Sequence, residues 1–262
     1  MKWLKRFGLM IGSLVGLVVL FVAVAWAAVA LRMRKTYEVP AHPLAAARDA
    51  SPERGRHLAL AVTKCMHCHG DDLGGKVVED DPVFARLVAS NLTRGRGGVV
   101  ADYEGEDWER AVRHAVRRDG RPLVFMPAEA FWHLADEDLA DVVAYVRSVP
   151  PVDRELPVTR AGPMARVITL LGAFPLLPAE MVDHARHPAP PPERRVDVAY
   201  GEYLATVGGC RGCHGPALAG NGAPGSPDIT RGRLASWTQA DFVRALRAGV
   251  RPDGSAISPE MP

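Results

Sequence analysis

The sequence predicts an all-α protein: an N-terminal membrane-spanning helix, then two tandem small helical units, the second apparently truncated. Three observations carry this. A charge-free apolar run fills residues 7–31, three blocks of sequence recur in the same order, and apolar positions within the blocks return at helical spacing.

The apolar run reads "FGLMIGSLVGLVVLFVAVAWAAVAL". Its 25 residues, at about 1.5 Å each, cross a hydrocarbon core of roughly 30 Å with some tilt. A secretory signal has an apolar core of only about 7–15 residues, so the run is read as an uncleaved anchor, with its basic flanks occupying residues 1–35. The competing reading is a long cleaved signal, because Ala28-Val29-Ala30 has the small-residue pattern of a cleavage site. Lys2, Lys5 and Arg6 precede the run and Arg32, Arg34 and Lys35 follow it, so the basic flanks tie and leave orientation open. The rest of the chain holds 26 Lys+Arg against 30 Asp+Glu, a net of −4. That balance excludes the clustered basic surface of a nucleic-acid binder.

After a linker over residues 36–50, the chain repeats itself. "GRHLALAVTKCMHCHG" from Gly55 answers "GEYLATVGGCRGCHG" from Gly201. "SNLTRGRG" from Ser90 answers "PDITRGR" from Pro227, and "EDWERAVRHAVRRDGRPLVFMP" from Glu106 answers "ADFVRALRAGVRPDGSAISPEMP" from Ala240. Matched blocks of this length mean duplicated domains, 51–150 and 196–262, and not a solenoid of short repeats.

Each element has a local cause. Ser51-Pro52 is an N-cap with proline at the first helical position, opening a helix towards Thr63. Trp108, Ala111, Val112, Ala115 and Val116 recur at helical spacing until Gly120 stops them. Thr238 and Asp241 form a capping box before Phe242, Ala245, Leu246 and Gly249. Leu139, Val142, Val143 and Val146 share one face of a last helix that prolines end. No alternating strand pattern stands out. Residues 151–195 form a proline-rich linker whose apolar piece, "ARVITLLGAFPLLPAEM", is too short to span a membrane and is expected to pack on a domain. The second copy stops at Met261-Pro262 without a final helix, so the face of Ala199, Leu204 and Val207 is expected to lack its cover. A fragment, or a partner that supplies the packing, would account for this.

All four cysteines of the chain lie in two Cys-x-x-Cys-His motifs: Cys65, Cys68 and His69, then Cys210, Cys213 and His214. Two thiols three positions apart on a helical turn reach the two vinyl groups of one porphyrin edge, and the following histidine then lies under the iron. A redox dithiol has no need of that histidine. A single zinc site would have to join motifs 142 residues apart, and a disulfide within so short a loop is poorly placed. The reading is two covalently bound haem c groups. Met126 and Met261, each followed by proline after an Asp-Gly turn, are the candidate sixth ligands, because thioether opposite imidazole suits electron-transfer iron. Met66, Met164 and Met181 have no counterparts and are read as packing. His67, His114 and His133 are read as surface or core histidines, and Arg94, Arg96, Arg231 and Arg233 as exposed loop residues that could also meet haem propionates.

On these motifs each unit resembles a class I cytochrome c domain, in full over 51–150 and in part over 193–262. The whole is similar to membrane-anchored dihaem cytochromes c and to the cytochrome subunits of bacterial membrane dehydrogenases, although those subunits usually carry three motifs and this chain has two. The resemblance implies that Cys65 and Cys68 hold one haem between His69 and Met126, and Cys210 and Cys213 another between His214 and Met261. It also implies Gly55 packed on Tyr145, with no such partner for Gly201, and a proline carbonyl behind each proximal histidine: Pro82 in the first unit, Pro224 or Pro227 in the second. The expected function is a membrane-tethered electron relay, haem domains on the periplasmic side, between a membrane or periplasmic donor such as a dehydrogenase and an oxidase or soluble cytochrome. Two alternatives stand beside it: a peroxidase-like haem enzyme with one open iron, and an obligate dehydrogenase subunit.

Overall fold

The computed structural model describes residues 2–40, 44, 50–222, 226–259 and 261. Part of the expected 36–50 linker, Pro224 and Pro262 lie outside the described residues. The elements in order are α1 (Lys2–Arg32), α2 (Pro52–His57), α3 (Cys65–His69), β1 (Lys76–Asp81), β2 (Ala85–Ala89), α4 (Gly105–His114), α5 (Ala128–Phe131), α6 (Asp136–Ser148), β3 (Arg160–Ala161), α7 (Pro163–Leu170), α8 (Val198–Val207), α9 (Cys210–His214) and α10 (Gln239–Ala248).

The first unit is built around one helix crossing. Ser51 caps α2, its hydroxyl accepting from the Arg54 amide at 3.3 Å, and Pro52 opens the helix as expected. The helix continues into a π-helical turn, Leu58–Val62, before α3. A Cβ on Gly55 would run into the backbone carbonyl of Asp141 and come within 2.9 Å of Tyr145 Cβ, so only glycine lets α2 lie directly on α6. Around this contact Leu58, Leu73, Trp108, Leu134, Leu139 and Val143 are buried together. The four apolar residues expected on one face of α6 are all in this core or its edge.

Two local expectations shift. Helix α4 stops at His114, six residues before Gly120, because Ala115 turns left-handed (φ 48°) and its carbonyl accepts from Leu123 at 2.6 Å. Val116 instead pairs across a turn with Pro122. The fold is mostly helical as predicted but includes a small antiparallel sheet, ordered β1-β2-β3. A bulge between Val77 and Glu79 breaks the alternation of β1, and β3 is two residues long, so neither strand announces itself in sequence.

The segment after α6 wraps back over the first unit. Asn91, fully buried, donates to the Val152 carbonyl at 2.7 Å, and Arg154 forms an ion pair with Asp72 at 2.8 Å. Helix α7 then packs along the last turns of α1, and Leu176 and Leu177 join Val29, Ala85 and Leu87 in a second core. This is the packing expected of the apolar piece. Further on, Arg194 pairs with Asp138 at 2.5 Å, and α8 settles on the first unit. Val207 is completely buried there, and the Tyr203 hydroxyl donates to Asp138 at 2.6 Å while accepting from the Ala135 amide. The face of α8 expected to stand uncovered is therefore covered in part, by the first unit.

Candidate cofactor-attachment sites

The two Cys-x-x-Cys-His segments take the same backbone course. Each short helix, α3 and α9, follows a left-handed residue, Lys64 (φ 52°) and Gly209 (φ 73°), and ends on a glycine at φ 79°, ψ 162° in both copies. Leu73 and Leu218 then turn left-handed, and the amides of Gly75 and Gly220 donate back to the carbonyls of His69 and His214 at 2.8 Å. Further along, Leu92 and Ile229 donate to those same leucine carbonyls at 2.8 and 2.9 Å. A leucine held at positive φ is strained, and its recurrence at equivalent positions marks a loop whose shape matters. The sequence repeat is thus a repeat of conformation.

That loop aims the histidines. His69 Nδ1 lies 2.8 Å from the Ser90 carbonyl, and His214 Nδ1 lies 2.7 Å from the Pro227 carbonyl. A carbonyl can only accept, so each Nδ1 carries a proton, and in the neutral ring Nε2 keeps its lone pair. Burial also pushes the His69 imidazole below its usual range, favouring the neutral form. The expected proline is present behind His214, as Pro227; in the first unit Ser90 fills the role and Pro82 does not. The backbone carbonyl is what matters chemically, and any residue can supply it, so the residue type gave no signal.

None of the four cysteines is in a disulfide. Burial raises the Cys65 and Cys68 thiols above their ordinary range, and Thr63 Oγ1 lies 3.3 Å from Cys65 Sγ.

The methionines differ. Met126 packs against the same core as Cys65, and it follows Phe125, which is held at φ 68° with its amide donating to the Leu176 carbonyl at 3.0 Å. In the second unit the hairpin before the methionine matches the first up to Ile257, whose amide donates to Gly249 at 2.7 Å as Leu123 does to Ala115. Beyond it, three residues separate Ile257 from Met261 where two separate Leu123 from Met126, and a turn closed by the Met261 amide on the Ser258 carbonyl takes up the extra one. Met261 is 37% exposed and joins none of the core clusters.

Among the other residues weighed, His67 and His133 are exposed, as are Arg94 and Arg96. His114 is buried, its Nδ1 3.0 Å from His184 Nδ1. Sequence reasoning passed over Arg113, which is fully buried and donates to the Leu134 carbonyl at 2.5 Å, to Asp136 at 2.7 Å and to Glu109 at 3.3 Å, locking α4 to the start of α6.

Residues 52–150 match the cytochrome c family model. This stretch has the cytochrome c fold. Over most of its length the chain is also similar to the fructose dehydrogenase cytochrome subunit of Gluconobacter japonicus (28% identical, 82% of this chain and 48% of the relative). It is 26% identical to the cytochrome c subunit of the quinone alcohol dehydrogenase of Gluconobacter oxydans, over 80% of this chain and 49% of that subunit. A diheme cytochrome c-type protein of Cereibacter sphaeroides is 27% identical over 72% of this chain and 67% of its own length. The chain spans about half the length of these dehydrogenase subunits.

A cytochrome c domain carries covalently bound haem c, and the residues of the first unit fit it. Besides two thiols and an imidazole, the unit holds a buried donor, Trp108 Nε1, in the core shared with Cys65 and Met126, that has no hydrogen-bond partner among the described residues. A haem propionate is the kind of acceptor that would satisfy it.

Proposed function

We propose that this chain is a membrane-tethered dihaem c-type cytochrome that relays single electrons, working as the cytochrome subunit of a dehydrogenase on the periplasmic face of a bacterial membrane. The observation that carries the dihaem reading is the conformational duplicate: the second motif repeats the left-handed turns and histidine-to-carbonyl bond of the first. Cys65, Cys68, Cys210 and Cys213 would attach the two haems, and His69, Met126, His214 and Met261 would bind their irons. When bound, haem c supplies a one-electron couple; the chain's part is to hold, orient and bury it.

The units are arranged for relay. Val207, three residues before Cys210, sits in the core that also receives Cys65 and Met66. The attachment segment of one unit therefore begins against that of the other, and the Tyr203–Asp138 bond fixes the joint. Ser90 and Pro227 hold each imidazole in the Nε2-ligating tautomer, so no proton need move when an electron passes. The dehydrogenase partner is proposed from the chain's similarity to cytochrome subunits of dehydrogenases, and the anchor from the 31-residue apolar α1.

The test is a haem count per purified chain, with spectra of the oxidised and reduced forms. Two covalent low-spin haems, inert to carbon monoxide, are expected, and copurification with a large flavin or quinone enzyme identifies the partner class. One haem per chain overturns the dihaem reading. The exposure of Met261 favours a second reading, in which the second iron is open and the chain is a haem enzyme. Carbon monoxide binding by that haem alone would select it.

A further inference from the structure

We propose that the outer face of α7 is a lipid-contact surface that seats the cytochrome domain directly on the bilayer; this rests on the reading of α1 as a membrane anchor. Of the 31 residues of α1, the stretch before Ala25 is almost wholly exposed, whereas Ala25 and Val29 are buried by the domain. Trp3 and Trp26, both exposed, lie 23 residues apart, about 35 Å along a helix. That distance brackets a hydrocarbon core of roughly 30 Å, with an indole at each interface where tryptophan is preferred. The bilayer boundary therefore falls near Trp26.

Helix α7 packs at that level. The Arg166 guanidinium stacks over the Trp26 ring at 4.0 Å and donates to the Trp26 carbonyl at 3.0 Å and to the Ala161 carbonyl at 3.1 Å. Arg166 is the sole charged side chain between residues 163 and 179, and it is turned inward and buried. Ala165 and Thr169 are buried on the same side. Met164, Val167, Ile168 and Leu171, spaced i, i+3, i+4 and i+7, fall on the opposite face, where Met164 is 46% and Leu171 65% exposed.

A soluble surface helix turns its charged face outward; α7 does the reverse, as a helix lying in a membrane interface does. Arg160, three residues before α7, and Arg34 and Lys35, just after α1, are exposed, and such cations near a bilayer favour anionic headgroups. Together α1 and α7 would fix the height and rotation of the first haem site over the membrane, where a flexible tether would leave both free.

The experiment is photo-crosslinking of the full haem-loaded chain in phosphatidylethanolamine–phosphatidylglycerol vesicles. Benzoylphenylalanine is placed one position at a time at Leu171, Met164, Leu17 and Val196, all exposed, and adducts are read by mass spectrometry. Lipid adducts at Leu17 and at Leu171 or Met164, with none at Val196, are expected. Adducts at Leu17 but at neither α7 position overturn the proposal and leave the anchor standing. An α7 position that captures a second copy of the chain instead of lipid overturns it equally. No lipid adduct at Leu17 removes the anchor, and the proposal with it.

Discussion

Replacing Gly55 by alanine should destabilise the first unit, while the same change at Gly201, its counterpart in the repeat, should stabilise the second. At Gly55 the new methyl would overlap the Asp141 carbonyl and press on Tyr145 Cβ at 2.9 Å, so α2 and α6 must separate. Overpacking against side chains costs typically 1–3 kcal/mol. Here the obstacle is backbone in the central crossing, so the upper end applies, and about 3 kcal/mol is expected after a small offset from the better helix propensity of alanine. At Gly201 nothing lies within 4 Å of the new Cβ, and the gain in propensity, about 0.5–1 kcal/mol, stands alone. Guanidinium unfolding of the haem-loaded protein, followed by far-ultraviolet dichroism and haem absorption, reads both changes. With a slope of about 3 kcal/mol per molar, G55A should lower the midpoint of the first unit by roughly 1 M and G201A should raise that of the second slightly. A G55A protein as stable as the parent, or a G201A protein losing as much as G55A, would refute the close-crossing argument.

The remaining predictions concern the sites and their supports. Met126→Ala should turn the first haem high-spin and receptive to carbon monoxide, whereas Met261→Ala should do so only if its exposed side chain ligates; an unchanged spectrum for M126A removes Met126 as a ligand. Tyr203→Phe deprives the Ala135 amide and Asp138 of a partner at the joint between units, which should cost about 1–3 kcal/mol and raise hydrogen exchange in α8; unchanged exchange would show that the joint does not depend on the hydroxyl. Arg154, donating to Asp72, holds that carboxyl below its usual range. A depressed carboxyl stabilises the fold fully above its unfolded value near pH 4 and loses that contribution as pH falls through its folded value. Arg154→Ala should therefore flatten the stability-against-pH curve below about pH 4, measured by unfolding midpoints; a curve as steep as the parent's rules out this pair as its source.

Much of the site was legible because its chemistry is local. Cys65, Cys68 and His69, like Cys210, Cys213 and His214, act within one helical turn, so spacing alone declares them. Caps at Ser51 and Thr238 and the apolar stripe of α6 are equally short-range, and the structure has each where the sequence placed it. The doubling of the blocks predicted two similar units; at equivalent positions Leu73 and Leu218 both take left-handed backbone.

What the sequence left open depends on contacts distant along the chain. The carbonyl behind His69 comes from Ser90, 21 positions away, and carries no residue preference to read. The burial of Val207 in the first unit, the clamp of Arg113 on α6 and the seat of α7 against Trp26 arise where faces meet. A side chain's burial depends on what arrives opposite it, and composition cannot say which surface that will be. The difference between Met126 and Met261 shows the same limit: both precede proline in similar blocks, yet Met126 packs on the core and Met261 is 37% exposed. Sequence determined which atoms this protein can offer to a haem. Tertiary packing decided how they are aimed, because aim is set by the backbone and the neighbours that hold it.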